Sequence, residues 1–327
     1  MTSAIARLAK AFDSRELPWR QDVALSELST WRIGGTGDII VEPETPEGVN
    51  AAVQILNDMG MHFIAIGDGS NLLFDDEGYR GAIIKIGANL SKFSISDDGI
   101  VNAEAGLWAP CFVRRTVKAG LAGCVHAAGI PGTIGGLVIM NGGTQRKGIG
   151  SHVVDVTFVD ECGTLRIFNQ DQCQFSYRRS ILQSRKIVVV SVKFKYQSGS
   201  ISEMRREMLA ILKERNQKFP RKSANCGSVF LSDPSLYETL GPPGMAIEKV
   251  GMKGYSWGRA QISPSHANFI VNNGGATSKD VLQLIRQIRH KVFDATGIWM
   301  NCEVRHVQPN GAIQPAHVAA NVLAASV

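Results

Sequence analysis

A chain of 327 residues, 44% of them hydrophobic and with a net charge of +6, is long enough for two or three domains, each with its own buried core. No apolar run approaches the ~20 residues that span a bilayer, and the first ten residues lack a signal peptide's continuous apolar stretch, so a cytoplasmic protein without a membrane span is expected. Six cysteines stand without Cys-x-x-Cys or zinc spacing, which points to reduced thiols and no metal site, and the five tryptophans and five tyrosines do not interleave with the basic stretch 205–222, which argues against a nucleic-acid partner.

In chain order, residues 4–12 read as a short amphipathic helix and 38–42 as a strand. Thr45 caps a helix that opens on Pro46, places Val49, Val53 and Leu56 on one face and stops at Gly60. A strand at 62–66, a glycine loop at 66–72 and a strand at 82–86 complete a β-α-β unit. The acids that follow, Asp75, Asp76 and Glu77, miss the EF-hand positions and are expected to face solvent. A strand at 99–103 and a helix at 106–122, apolar at Phe112, Val113, Val117 and Leu121, lead into a second glycine-rich loop at 127–136.

Strands are expected at 152–160, 164–168 and 187–196; in the last, Val190, Val192, Phe194 and Tyr196 alternate with Ser191, Lys193 and Lys195. A basic helix covers 202–218, with Arg205, Arg206, Lys213, Arg215 and Lys218 as a solvated face, or with Arg215, Lys218, Arg221 and Lys222 meeting a phosphorylated substrate. Ser278 caps a helix whose stripe is Val281, Leu284, Ile285, Ile288 and Val292 and which Gly297 stops. The tail 309–327 is expected to be poorly ordered or a peripheral helix.

Two loops describe backbone meeting a ligand. Glycine permits positive φ and close approach, and consecutive N–H groups can surround an anionic oxygen. Gly67-Asp68-Gly69-Ser70-Asn71-Leu72 and Gly129-Ile130-Pro131-Gly132-Thr133-Ile134-Gly135-Gly136 together suggest one long ligand with two phosphates, against the plainer reading of tight structural turns.

Four patches carry polar side chains. Tyr177-Arg178-Arg179-Ser180 is a surface turn or an arginine placed for a carboxylate or oxyanion. Asn225-Cys226-Gly227-Ser228 presents a turn serine or a proton donor. In Asn301-Cys302-Glu303-Val304-Arg305, strand alternation puts Asn301, Glu303 and Arg305 on one face; Glu303 and Arg305 form a structural ion pair or a catalytic acid with its neighbour. Around 258–272, His266 bonds its own loop, while Gln261 and Asn268 read a polar substrate or brace the strand.

As an ordered set, Thr30-Trp31-Arg32-Ile33-Gly34-Gly35, the two glycine loops, Tyr177-Arg178-Arg179-Ser180, Gly227-Ser228-Val229-Phe230, Ala246-Ile247-Glu248, His266-Ala267-Asn268-Phe269 and Glu303-Val304-Arg305 closely resemble the UDP-N-acetylenolpyruvoylglucosamine reductase family over about 20–307. The resemblance implies an α+β flavoprotein: a two-part FAD-binding domain of the vanillyl-alcohol-oxidase (PCMH) type, 1–88 and 89–205 completed by 298–308, and a C-terminal α+β substrate-binding domain at 206–297, with 309–327 as tail. It implies NADPH as hydride donor, FAD as carrier and UDP-N-acetylglucosamine enolpyruvate as the nucleotide-sugar substrate, reduced to UDP-N-acetylmuramate for peptidoglycan.

By the same matching, Arg178, Ser228 and Glu303 are catalytic. Gly67, Asp68, Gly69, Ser70, Asn71, Leu72, Gly129, Pro131, Gly132, Thr133, Gly135, Gly136 and Arg305 hold FAD, and Tyr177, Arg178, Lys218, Gln261, His266 and Asn268 meet the substrate. Neither glycine loop contains a His or Cys to tether the flavin, so FAD is expected to be dissociable, and the protein a monomer or weak dimer. The chain resembles the shorter branch, without a tyrosine-loop insertion between Ser263 and His266. It departs from the family at Gly142-Gly143-Thr144-Gln145-Arg146-Lys147, at Leu231-Ser232-Asp233 and at Asp68. Those departures keep open a paralogous FAD-dependent reductase or oxidase acting on another nucleotide sugar or secondary metabolite, and a flavin-binding protein that has lost catalysis.

Overall fold

The computed structural model describes residues 2–144, 146–220 and 222–323. The chain divides into two compact units, neither contiguous in sequence: residues 1–21, 38–68 and 81–215 form the first, and 22–37, 69–80 and 216–327 the second. Arg221 and Gln145, both named above, lie outside the described residues, as do the last four residues of the tail.

The first unit is built on two layers of strands and helices. A four-stranded sheet includes Phe63–Ile66 and Tyr79–Lys85, which run parallel in the register Phe63 to Ala82 and Ile66 to Lys85. The strand Thr36–Val41, the helix Pro46–Asp58 and the strand Phe63–Ile66 are the β-α-β unit expected, and the Thr45 hydroxyl caps the helix by accepting from the Gly48 N–H. Val49, Ala52, Val53 and Leu56 are the buried stripe of that helix. A five-stranded antiparallel sheet follows the order Leu165–Asn169, Val153–Val159, Val188–Lys195, Ile100–Glu104, Phe93–Ile95. Alternation sets its inner face: Val192 and Phe194 are buried, and Lys193 and Lys195 reach the acids Asp155 and Asp98 on the outer side. The helix expected over 106–122 is shorter, Ala109–Lys118; Ala119 and Gly120 end it and Leu121 turns into a short strand.

The second unit has its own core, in which Trp31, Val229, Phe230, Ile247, Ile262, Leu284, Ile285, Ile288 and Val304 are buried. The long helix Ser278–Thr296 supplies most of one wall, and its stripe is the expected one. Its cap is not. Thr277, not Ser278, is the N-cap: its hydroxyl accepts from the Asp280 N–H at 3.0 Å and the Asp280 carboxylate takes the Thr277 N–H at 3.0 Å, a reciprocal box that Ser278 cannot make from the first helical position. The Ser278 and Lys279 N–H groups go instead to the Asp76 carboxylate, at 2.7 and 3.2 Å. Asp76 therefore caps a helix, and its neighbour Asp75 lies 3.1 Å from the buried His306 ring, so these two acids do not simply face solvent as expected.

Residues 299–305 are not one strand either. Met300, Cys302 and Val304 are buried and Asn301 is exposed, as alternation requires, but regular pairing begins only at Arg305–Val307, with a single bridge at Cys302 to Phe230 before it. The strand Arg305–Val307 lies between Leu72–Phe74, to which it is parallel, and Ile313–Pro315, to which it is antiparallel. The tail thus contributes a strand and the helix Ala316–Val322, which packs on Ser278–Thr296 through Ala316, Ala319 and Ala320. Of the two expectations for the tail, the helix is the one its described part follows.

Candidate active site

In the first unit the two glycine loops meet. A Cβ on Gly67 would lie 2.5 Å from the Thr133 hydroxyl, so only glycine allows the loops to approach this closely. Thr133 also caps the helix Ile134–Ile139, its hydroxyl accepting from the Gly136 N–H. The Ile134 and Gly135 N–H groups bond Leu107 and Ala105, at 2.8 Å each, and anchor the loop in the core. Gly129 and Gly132 have φ of +75° and +116°, which turns the backbone at both places. The Asp68 carboxylate pairs with Lys85 at 3.5 Å on a partly exposed surface, an interaction of little energetic weight. A surface made of backbone, small residues and one threonine hydroxyl, with a neighbouring lysine, suits a diphosphate, and these residues fit FAD on that ground.

The same loop supports Arg178. Ser176 and Arg179 exchange backbone hydrogen bonds at 3.0 Å, which makes Tyr177 and Arg178 the corner of a two-residue turn, with Arg178 at a left-handed φ of +55°. Asn141 donates to the Ser176 carbonyl at 2.7 Å and accepts from the Gly150 N–H at 2.9 Å; Ser180 donates to the Ile139 carbonyl and Gln183 to those of Ile139 and Arg178. The guanidinium itself donates to the Gly143 carbonyl at 2.6 Å and stands 5.3 Å from the Tyr177 ring centroid. Asn141, Gly143 and Gln183 as supports of Arg178 escaped sequence reasoning. The only signal was the Asn-Gly-Gly run that closes the loop.

Beneath this turn lies His126, 3% exposed, with no hydrogen bond to either ring nitrogen among the described residues. Burial, helped by the positive neighbours His152, Lys147 and Arg178, pushes its pKa down to about 4, so the ring is neutral at physiological pH. The Thr144 hydroxyl donates to the His126 carbonyl and ties the departing segment 142–147 to it.

The second unit carries the other candidates. Gly69 has φ +61° and a Cβ there would fall 1.9 Å from the Leu28 carbonyl oxygen, so the Gly69-Ser70-Asn71-Leu72 half of the first loop is also tied to glycine. Asn71 donates to the Glu303 carbonyl at 3.2 Å, and the Arg305 N–H bonds the Asn71 carbonyl at 3.0 Å. Glu303 donates its own N–H to Val229 at 2.8 Å, and Val229 in turn to Asn268. Ser228 and Glu303 are thereby carried on adjacent backbone. The Cys226 thiol sits 3.4 Å from the Leu72 carbonyl, 3.5 Å from that of Gly69 and 3.3 Å from the Thr30 hydroxyl, which anchors the Ser228 turn to the loop. Burial pushes that thiol up to about 11, so it is a packing and hydrogen-bonding group.

Arg305 is part-buried and donates to the Ile313 carbonyl at 3.0 Å; burial lowers its pKa. His266 accepts from the Asn268 N–H through Nδ1 and lies against Phe219 and Phe269; burial first, then Lys218 and Lys253, hold its pKa down. Both ends of the Asn268 amide are engaged by the Phe230 backbone, at 2.9 and 3.0 Å, which is the bracing alternative. Gln261 is similarly occupied, donating to Gly254 and accepting from Asn273. Lys218 ends the helix Ile201–Lys218. Among the described residues no group of three or more His, Cys, Asp or Glu side chains is placed to hold a metal ion, and no helix is long and apolar enough to cross a membrane.

Comparison with known proteins gives a family. Residues 219–307 match the model of the UDP-N-acetylenolpyruvoylglucosamine reductase C-terminal domain, and 37–169 that of an FAD binding domain. The chain is 44% identical over 314 residues to UDP-N-acetylenolpyruvoylglucosamine reductase 1 of Corynebacterium glutamicum, covering 96% of this chain and 92% of that one. It is 36% identical to the reductase of Heliobacterium modesticaldum, covering 90% and 92%. The crystal structure of the Thermus caldophilus reductase superposes with a TM-score of 0.74 at 27% identity, over 89% of this chain and 98% of that one.

Proposed function

The chain belongs to the UDP-N-acetylenolpyruvoylglucosamine reductase family, and from that premise we propose its reaction and the residues that carry it. It is an FAD-dependent oxidoreductase that uses NADPH to reduce UDP-N-acetylglucosamine enolpyruvate to UDP-N-acetylmuramate in peptidoglycan precursor synthesis. FAD, when bound, carries hydride from NADPH to the terminal vinyl carbon of the enolpyruvyl group.

The protein's own residues do the rest. Gly67, Asp68, Gly129, Pro131, Gly132, Thr133, Gly135 and Gly136, with Gly69, Ser70, Asn71, Leu72 and Arg305, hold the cofactor through backbone and small polar groups. As hydride arrives, negative charge grows on the substrate carboxylate. The Arg178 guanidinium and the carboxyl of Glu303, in its acid form, donate hydrogen bonds to it. The Ser228 hydroxyl then gives a proton to the carbon next to the carboxylate. Tyr177, Lys218 and His266 meet the nucleotide sugar; the engaged amides of Gln261 and Asn268 act by shaping its surroundings. The reading places 206–297 as the substrate-binding domain and the enzyme in the cytoplasm as a monomer or weak dimer.

The observation that carries the residue assignment is the support around Arg178: a left-handed turn and a guanidinium held at 2.6 Å on a loop carbonyl are an expensive way to present a merely solvated arginine. The test is anaerobic. NADPH should bleach the bound flavin, and UDP-N-acetylglucosamine enolpyruvate should restore its absorbance with formation of UDP-N-acetylmuramate. Bleaching without restoration would transfer the protein to another nucleotide sugar.

A further inference from the structure

We propose that the C-terminal strap, the strand Ile313–Pro315 with the helix Ala316–Val322, positions Glu303 for the substrate step, with His317 as its positioning residue. The inference rests on the role given to Glu303 above. The strap lies beyond residue 307, where the match to the family's C-terminal domain stops.

The segment 301–304 needs outside partners because it is not part of a regular strand. On one side Glu303 spends both backbone groups: its N–H on Val229 and its carbonyl on Asn71. The residues before and after it point their backbone groups the other way, to the strap. The Cys302 N–H donates to His317 Nδ1 at 3.0 Å, and the Ala316 N–H donates to the Val304 carbonyl at 2.9 Å. Glu303 is thus held by consecutive peptide groups clamped from both sides.

The strap is itself fixed to the body of the unit. Arg289, 6% exposed, donates through Nε to the Met300 carbonyl at 2.8 Å and through Nη1 to the Asn321 side chain at 2.5 Å, so one guanidinium ties the start of the segment to the end of the strap helix. Arg305 donates to Ile313 at 3.0 Å, and Ala316 and Ala320 are fully buried. An acceptor at Nδ1 requires that nitrogen to be unprotonated. Burial and the nearby Arg289 both favour the neutral ring.

Positioning differs from general stability in which half of the reaction it touches. His317→Ala removes the acceptor of the Cys302 N–H; His317→Asn restores an oxygen near the Nδ1 position, whereas His317→Gln carries its oxygen further out. With the FAD-loaded full chain, flavin reduction by NADPH and flavin reoxidation by UDP-N-acetylglucosamine enolpyruvate are followed separately under anaerobic conditions. Product binding to the oxidised enzyme is measured by calorimetry and the melting temperature recorded. The expected result is reoxidation slowed about tenfold or more in His317→Ala and His317→Gln, reduction by NADPH changed less than about twofold, weaker product binding, and recovery of both in His317→Asn. Equal slowing of both half-reactions, no slowing in either, or the same behaviour in the Asn and Gln variants overturns the proposal. Glu303→Gln is the control: if it slows reoxidation while His317→Ala does not, only the strap inference falls, and if it has no effect the premise falls with it.

Discussion

The turn that presents Arg178 and the segment that presents Glu303 are both irregular backbone, yet they are held in different ways. Around Arg178 the two backbone bonds between Ser176 and Arg179 close the turn, and side chains fix it in place: Asn141, Ser180, Gln183 and the arginine's own guanidinium each reach a carbonyl. Around Glu303 much of the support is backbone, from Val229, from Asn71 to Arg305 and from Ala316, joined by the side chains of Asn71, His317 and Arg289. A lattice of peptide groups survives most substitutions because every residue carries the same donor and acceptor. A lattice of side chains does not, so single changes should reach function more readily at the first turn than at the second.

Among changes to the two supports, the largest effect should come from Arg178→Ala, which removes the proposed carboxylate partner and the bond to Gly143 together. Reoxidation by substrate should slow by about 10²–10³-fold while NADPH reduction is spared, as measured in single-turnover mixing. Next is acid sensitivity. His126 has its pKa depressed to about 4 from an ordinary value near 6.5, so the unfolded chain binds the extra proton first. Its contribution is whole above pH ~6.5 and is lost as pH falls toward ~4, up to about 3 kcal/mol. His152, His266, His306 and His317 are lowered as well and act with the same sign. Urea unfolding between pH 7 and 5 should show this slope, and His126→Leu should flatten it; an unchanged slope would remove His126 as its source.

Asn141→Ala comes third. It strands the Gly150 N–H and takes one of two donors from the Ser176 carbonyl, which keeps the Arg179 N–H, and should cost about 2 kcal/mol in denaturant and slow the substrate step more than flavin reduction. The smallest is Thr277→Ala in the second unit, which loses a helix cap for about 1 kcal/mol and should leave both half-reactions alone. If Thr277→Ala shifted the half-reaction balance as Asn141→Ala does, the contrast between the two kinds of support would be lost.

How much of this was legible from residues alone follows the same division. Regular elements with a period were readable: the Thr45 cap and Pro46 start, the stripe Val281 to Val292, and the alternation of 188–195 all stand where spacing put them. The glycine loops could be read as places of close backbone approach, since a Cβ on Gly67 would meet Thr133 and one on Gly69 the Leu28 carbonyl. What escaped is what depends on distant partners. Asp76 as the acceptor for Ser278 joins residues some two hundred positions apart, and displaces the local guess that Ser278 was the cap. The strand expectation over 299–305 was right in its alternation and wrong in its regularity, because half of the partners are supplied by a tail that carries no motif. The ordered set of motifs identified the family, whereas each patch taken singly left its alternatives open.

The roles proposed for Arg178, Ser228 and Glu303 lie in the substrate step and not in the exchange between NADPH and flavin. Ser228→Ala separates the two, since the proton transfer proposed for Ser228 is needed by the second half-reaction alone. Rapid mixing should show flavin reduction by NADPH at close to the parent rate, and reoxidation by UDP-N-acetylglucosamine enolpyruvate slowed by about 10²–10⁴-fold. Reoxidation at the parent rate, or an equal loss in both steps, would contradict it.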